Sequence, residues 1–225
     1  IFGYVHDRLF TEDDFKDVEN GVLKDGVPKQ TFTAKVRPGD IKYVDLDKNG
    51  FIDTYDQMAI GGTENPEIVY GFGVNLRWKE LDFGAMFQGI GRTWRILSSN
   101  IMPASNKGSM YNIFDNYQDR WTVDNQSQDV FYPRADYGPN ANNSQKSTWW
   151  LRNMSFLRLK NLELGYSCPK KWLQGFVISN ARVFVRGTNL LTFSKFNLWD
   201  PELATGDGAK YPAMKSVSVG FDITF

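Results

Sequence analysis

The last ten residues, S-V-S-V-G-F-D-I-T-F from Ser216 to Phe225, alternate without a break. Val217, Val219, Phe221, Ile223 and Phe225 fall on one side, and Ser216, Ser218, Gly220, Asp222 and Thr224 on the other. Successive side chains of an extended strand point to opposite faces, so this pattern specifies a strand with one apolar and one polar face. Its length is the constraint. Strands of soluble domains run about 5–6 residues, whereas a strand that crosses a bilayer needs about 9–11.

The same signature recurs upstream. Tyr70, Phe72, Val74, Leu76 and Trp78 alternate with Gly71, Gly73, Asn75 and Arg77. Leu81, Phe83, Ala85 and Phe87 alternate with Asp82, Gly84, Met86 and Gln88, and only Lys79–Glu80 separates the two runs, which predicts a tight hairpin. From Phe156 to Tyr166 the apolar set changes phase between Leu159 and Leu162, and a bulge near Lys160–Asn161 restores the facing. From Ala181 to Asn189, Ala181, Val183 and Val185 oppose Arg182, Phe184, Arg186 and Thr188.

The connections alternate between short (Lys79–Glu80, Pro169–Asn180) and long and polar (7–67, 92–149, 194–213). Loops beyond about 12–15 residues are uncommon in compact soluble domains. An all-β outer-membrane barrel has short periplasmic turns and long external loops, so it fits this alternation; a soluble Greek-key protein with large insertions is the other reading. In the barrel reading Arg77, Asp82, Gln88, Arg182, Arg186 and Asp222 face the lumen, and Trp78, Tyr166 and Phe225 lie near the inner aromatic girdle. Five clear runs, or six if Ile1–Val5 ends another, are too few to close a membrane barrel. The chain, which starts inside an alternating segment, is therefore expected to belong to a larger one.

Composition removes other classes. Lys plus Arg and Asp plus Glu both number 26, so no net field steers the chain to nucleic acid. No run approaches the roughly 18 apolar residues of a transmembrane helix. One Cys (Cys168) and one His (His6) leave no disulfide framework or Cys-built zinc site, and His6 reads as a surface residue. No nucleophile–base pair, P-loop or zincin motif points to an enzyme. Trp94, Trp121, Trp149, Trp150 and Trp199 lie in the long loops, where they either stack on a sugar or partner or pin the loops together. Tyr111–Trp121 has helical spacing.

Within residues 38–60, D-L-D-K-N-G-F-I-D-T-Y-D from Asp45 to Asp56 places oxygens where a calcium loop needs them. Asp45, Asp47, Asn49, Asp53 and Asp56 supply side chains at loop positions 1, 3, 5, 9 and 12. The carbonyl of Phe51 takes position 7, Gly50 makes the sharp turn, and Ile52 packs behind. Position 12 is Asp where a bidentate Glu is usual, and the flanks do not read as two helices. The competing reading is an Asp/Asn/Gly turn capped by its own side chains.

Taken together the residues resemble the C-terminal third or quarter of the SusC/RagA-type TonB-dependent transporters of Bacteroidetes outer membranes. The resemblance rests on G-Y-V-x-D-x-L-F at Gly3–Phe10, P-G-D-I-K-Y-V-D-L-D-K-N-G-F-I-D at Pro38–Asp53 and F-L-R-L-K-N-L-E-L-G-Y at Phe156–Tyr166. It continues with A-R-V-F-V-R-G-T-N-L-L-T at Ala181–Thr192, D-P-E at Asp200–Glu202, Y-P at Tyr211–Pro212 and the terminal V-G-F-D-I-T-F. Arg8 stands where such proteins often carry Gly. The resemblance implies a barrel of about 22 strands with a plugged lumen, the plug and TonB box lying outside this chain. It also implies import of an oligosaccharide or peptide beneath a SusD-like surface lipoprotein, with TonB supplying energy. Phe225 is expected to serve as an assembly signal. The alternative function is a secreted, soluble, calcium-dependent carbohydrate-binding module, which would refold in buffer alone.

Overall fold

A computed structural model describes residues 1–98, 114–136, 138, 140–175 and 177–225. They fall into two compact units, one of residues 63–93 and 153–225 and the other of residues 1–62 and 94–152.

The first unit is a five-stranded antiparallel meander. Its strands are β1 (Ile68–Trp78), β2 (Leu81–Gly91), β3 (Phe156–Ser167), β4 (Asn180–Ser194) and β5 (Ser216–Thr224). The sheet order is the chain order. The strands are 11, 11, 12, 15 and 9 residues long, so each reaches the span that a bilayer requires. Lys79, at φ 55°, makes the tight reversal between β1 and β2.

Register keeps the two faces separate. Trp78 lies opposite Leu81, Leu81 opposite Tyr166, Tyr166 opposite Val183, and Val183 opposite Phe221. The phase change in β3 is a bulge, as the sequence predicts. Phe87 faces Leu159 while Met86 faces Asn161, and Lys160 is left over. The partner β4 bulges at the same level, where Leu159 faces Leu191 but Asn161 faces Thr188. Asn189 takes φ 53° there, a left-handed conformation that Asn tolerates. This kink lets β4 run on to Ser194, five residues past the end expected from its alternation. Phe72 and Phe87 stack across β1 and β2 at 5.1 Å on the apolar face. That face stays open: Val219 and Phe221 are each 73% exposed. A contiguous apolar face of this kind marks contact with lipid or another chain.

The second unit corrects one sequence expectation and adds to another. The first two long connections, read as long and polar, fold on each other around a core of their own. Phe10, Phe15 and Val36 form one cluster, joined by Leu23 and Val27, and Leu9, Ile41, Ile52 and Leu97 are fully buried. Ile1–Val5 is not the tail of a sixth sheet strand. Phe2–Tyr4 pairs with Gln57–Ala59, and His6–Leu9 with Ile41–Tyr43. Gly3 is required because a Cβ there would lie 2.4 Å from the Lys146 carbonyl oxygen. The helical spacing of Tyr111–Trp121 yields a short 3-10 turn at Asp115–Gln118, and residues 111–113 lie outside the described residues.

The facing predicts an asymmetry between neighbours. In the full-length protein Val219→Arg should cost about 2–4 kcal/mol if it sits near the midplane, whereas Ser218→Lys should be tolerated. The folded fraction, read from heat-modifiable gel migration, measures this; equal damage from both would reject the facing.

Candidate functional site

Two groups of side chains stand out. The first is the acidic loop. Its sharp reversal comes from Lys48 at φ 60° and Gly50 at φ 87°. Ile52 is fully buried behind it, and Phe51–Ile52 pairs in parallel with Lys29–Gln30. Ligand oxygens of Asp45, Asp47 and Asp56 lie within 4.8 Å of one another. The backbone feeds this group: Leu46 N–H donates to Asp56 Oδ1 at 2.7 Å, and Gly50 N–H to Asp45 Oδ2 at 2.8 Å. Asn49 N–H donates to Asp47 Oδ1 at 3.1 Å, and Asp53 N–H to Asp56 Oδ2 at 2.9 Å. Asp45 Oδ1 is buried without a hydrogen-bond partner, which leaves a lone pair for an added cation. Phe51 N–H donates to Asn49 Oδ1. Asp53 sits apart from the triad and caps the 3-10 turn Thr54–Asp56 through Tyr55 N–H. The flanks are strands, Ile41–Tyr43 and Gln57–Ala59, as expected for a loop that is not a helix-loop-helix hand.

The second group is the polar face of the sheet. Register places Arg77, Asp82, Gln88, Arg182, Arg186 and Asp222 on one side of the five strands. Arg182 of β4 reaches across β3 to Asp82 of β2, with Nη2 2.5 Å from Oδ2. Gly165 lies between, and a Cβ there would stand 2.5 Å from both of those atoms. Arg182 also holds Glu163 at 2.5 Å and Asp222 at 3.2 Å, and Arg186 pairs with Glu163 at 2.6 Å. Phe184 lies between the two guanidiniums, 5.0 and 5.2 Å from its ring centre, over Gly220. Glu163 joins this set although the simple alternation of the sequence does not mark it. Its signal was the bulge itself, which returns Glu163 to the polar side.

Farther along the same face, Arg158 is buried and paired with both Asp200 and Glu202. Lys160 holds Glu202 at 2.7 Å. Thus the D-P-E motif clasps the last long connection onto β3.

Elsewhere in the loop unit, the buried carboxylates Asp40 and Asp14 are paired. Asp40 is fully buried. Its Oδ1 lies 2.9 Å from Arg134 Nε and accepts from Asn140 and Asn143 at 3.0 and 2.9 Å. Burial pushes its carboxyl up from the ordinary value, against the pull of Arg134. Arg8 forks Asp14 with two 2.7 Å bonds. Trp121, Trp149 and Trp150 are buried, so these loop tryptophans pin the loops together. His6 is half-buried, bonded to Thr148 and set edge-on to Trp149.

No family model matches the chain. A TonB-dependent receptor of Formosa agariphila is 32% identical over 202 residues, 83% of this chain and 20% of that receptor. The chain belongs to the TonB-dependent receptors of the SusC/RagA type. The receptor SusC of Bacteroides thetaiotaomicron is 24% identical over 205 residues, 88% of this chain and 19% of SusC. Among solved structures, the RagAB peptide importer in its open-open state is 26% identical, with a TM-score of 0.70. It covers all of this chain, which covers 22% of that one. The closed-closed state gives 27% and 0.67. This TonB-dependent receptor chain therefore spans about a fifth of the length of the curated relatives it matches, and TonB-dependent receptors of this type are outer-membrane proteins.

Asp14 generates a pH prediction for the receptor. Burial works to raise its carboxyl, but the Arg8 fork, the Thr11 N–H and Lys42 outweigh it and hold the group well below the usual carboxylate range. A depressed folded value contributes stability that is present above about pH 4, where unfolded Asp ionises, and that fades as pH falls further. Asp14→Asn should cost about 1.5–3 kcal/mol at neutral pH. Amide exchange across residues 1–62 should then change less on acidification than in the wild type. The same acid response in both proteins would refute the assignment.

Proposed function

We propose that this chain supplies wall strands and external loops to a TonB-dependent importer that carries a large nutrient across the outer membrane. The observation that carries the reading is the sheet: five strands of bilayer-spanning length with an open apolar face and a charge-paired opposite face. The apolar face meets lipid, and the Arg182–Asp82–Glu163 face lines the lumen. Similarity to SusC and to the RagAB peptide importer supports the transport class. The nutrient is an oligosaccharide or a peptide, a SusD-like lipoprotein forms the lid, and TonB acts through parts of the protein outside this chain. No bond of the substrate is broken. A soluble carbohydrate-binding module is disfavoured, since water would face the apolar stripe. The test is growth of a strain lacking the whole receptor on defined oligosaccharides and on defined peptides as sole nutrient. Selective loss on one of these supports import; unchanged growth on every large nutrient, with loss of some other surface function, overturns it.

The acidic loop binds Ca²⁺ on the external side. Asp45, Asp47 and Asp56 hold the ion, Asn49 and the Phe51 carbonyl complete the ring, and Asp53 contributes through water. The support is the shared position of three carboxylates together with the buried, unpartnered Asp45 Oδ1. A cation would relieve their mutual repulsion and stiffen the reversal at Gly50. We expect Ca²⁺ to protect this loop of the full-length protein from proteolysis with a midpoint of about 10⁻⁴–10⁻³ M. Asp45→Asn should shift the midpoint upward. If calcium and magnesium leave the cleavage rate unchanged, the loop is a self-capped turn.

A further inference from the structure

The short-connection end of the sheet carries a group of cations that its ion pairs do not absorb, although Arg182 nearby is paired with Asp82 and Asp222. At the short-connection end, Lys79, Lys170 and Lys171 are all exposed, and among the described residues none has a carboxylate partner. The fold gathers them. The Lys79–Glu80 turn is bonded to the end of β3, where Ser167 N–H donates to the Glu80 carbonyl at 2.8 Å. Three residues on, the chain forms the helical turn Lys170–Leu173, beside the start of β4, where Cys168 N–H donates to Ala181.

Aromatic rings accompany these lysines. Trp78 and Tyr166 flank Leu81 on the apolar face, and both are exposed. Trp172 projects from the helical turn and is also exposed. The Lys79 ammonium lies 4.9 Å from the Trp78 ring centre. Trp and Tyr rings settle at the boundary between acyl chains and headgroups. A lysine beside them can lay its stem along the apolar surface and hold its charge at headgroup level. Asp82 and Asp222 at this end are taken up by Arg182, and Glu80 is the acid beside the three lysines in the turn. Basic groups at a membrane surface attract anionic lipid.

We propose that this end of the sheet is a collar for anionic phospholipid, in which Lys79, Lys170 and Lys171 engage headgroup phosphate while Trp78, Tyr166 and Trp172 seat at the acyl boundary. The site goes beyond nutrient import and rests on the barrel orientation given above, in which short turns face the phospholipid leaflet; its readout is lipid binding, which is independent of uptake.

The experiment uses the full-length receptor in detergent, with native mass spectrometry after addition of phosphatidylglycerol, phosphatidylethanolamine or lipid A. Wild type should retain phosphatidylglycerol in preference to phosphatidylethanolamine, and 0.5 M salt present during lipid loading should weaken the preference. Lys79→Gln, Lys170→Gln and Lys171→Gln should each lower retention about fivefold. Lys195→Gln with Lys215→Gln, outside the collar, should leave it unchanged. Heat-modifiable migration checks that each variant is folded. Equal retention of the two phospholipids, preference for lipid A, or single variants that behave as wild type would each overturn the proposal.

Discussion

Asp40 is the contact on which the loop unit depends. It is fully buried, and its partners Arg134, Asn140 and Asn143 lie about a hundred residues further along the chain. A lone carboxylate in such a place would be prohibitive. Its neighbours complete the same seam: Ile41 N–H donates to Asn143 Oδ1 at 2.9 Å, Asn142 donates to the Ile41 carbonyl at 2.7 Å, and Arg134 N–H to the Gly39 carbonyl at 2.9 Å. Gly39, at φ 87°, lets the chain pass beneath Trp121, where a Cβ would stand 2.3 Å from the ring. The P-G-D-I motif is thus explained by packing: the turn, the absence of a side chain, the buried charge and the buried Ile41 are one construction.

The sheet solves a different problem. Its apolar side needs no internal partner if lipid covers it, so its residues are free to be large and repetitive. On the polar side, Arg182, Arg186, Asp82, Glu163 and Asp222 are paired with one another along a wall one strand thick. Glycine makes this possible. Gly165 gives Arg182 a clear passage over β3 to Asp82, and Gly220 gives the Phe184 ring a floor. The resulting chain of pairs crosses four strands, from Asp82 to Asp222.

Much of the sheet was legible in the sequence, because period-2 alternation is a local property that pairing then obeys. The β1–β2 turn and the β3 bulge followed from it, and so did the shared side of the six polar residues. The end of β4 did not, since Asn189 and Leu190 break the period while the ladder continues. The acidic loop was legible in its spacing and in the burial of Ile52, yet spacing could not show that Asp53 turns to cap Tyr55. Least legible was the loop unit. Its core draws single residues such as Leu9, Phe10, Ile41 and Leu97 from distant segments, and no local period marks them. Asp40 and Arg134 were likewise invisible as a pair, because nothing in either neighbourhood names the other.

The mutual folding of residues 1–62 with 94–152 has a consequence for how such proteins diversify. Each excursion supplies what the other lacks: one the Asp40 carboxylate and the Ile41 backbone, the other the arginine and the two asparagines that satisfy them. An exchange between relatives that carried only one excursion would leave a buried charge unmatched. The two excursions, though split in sequence by a hairpin, are therefore bound to change together.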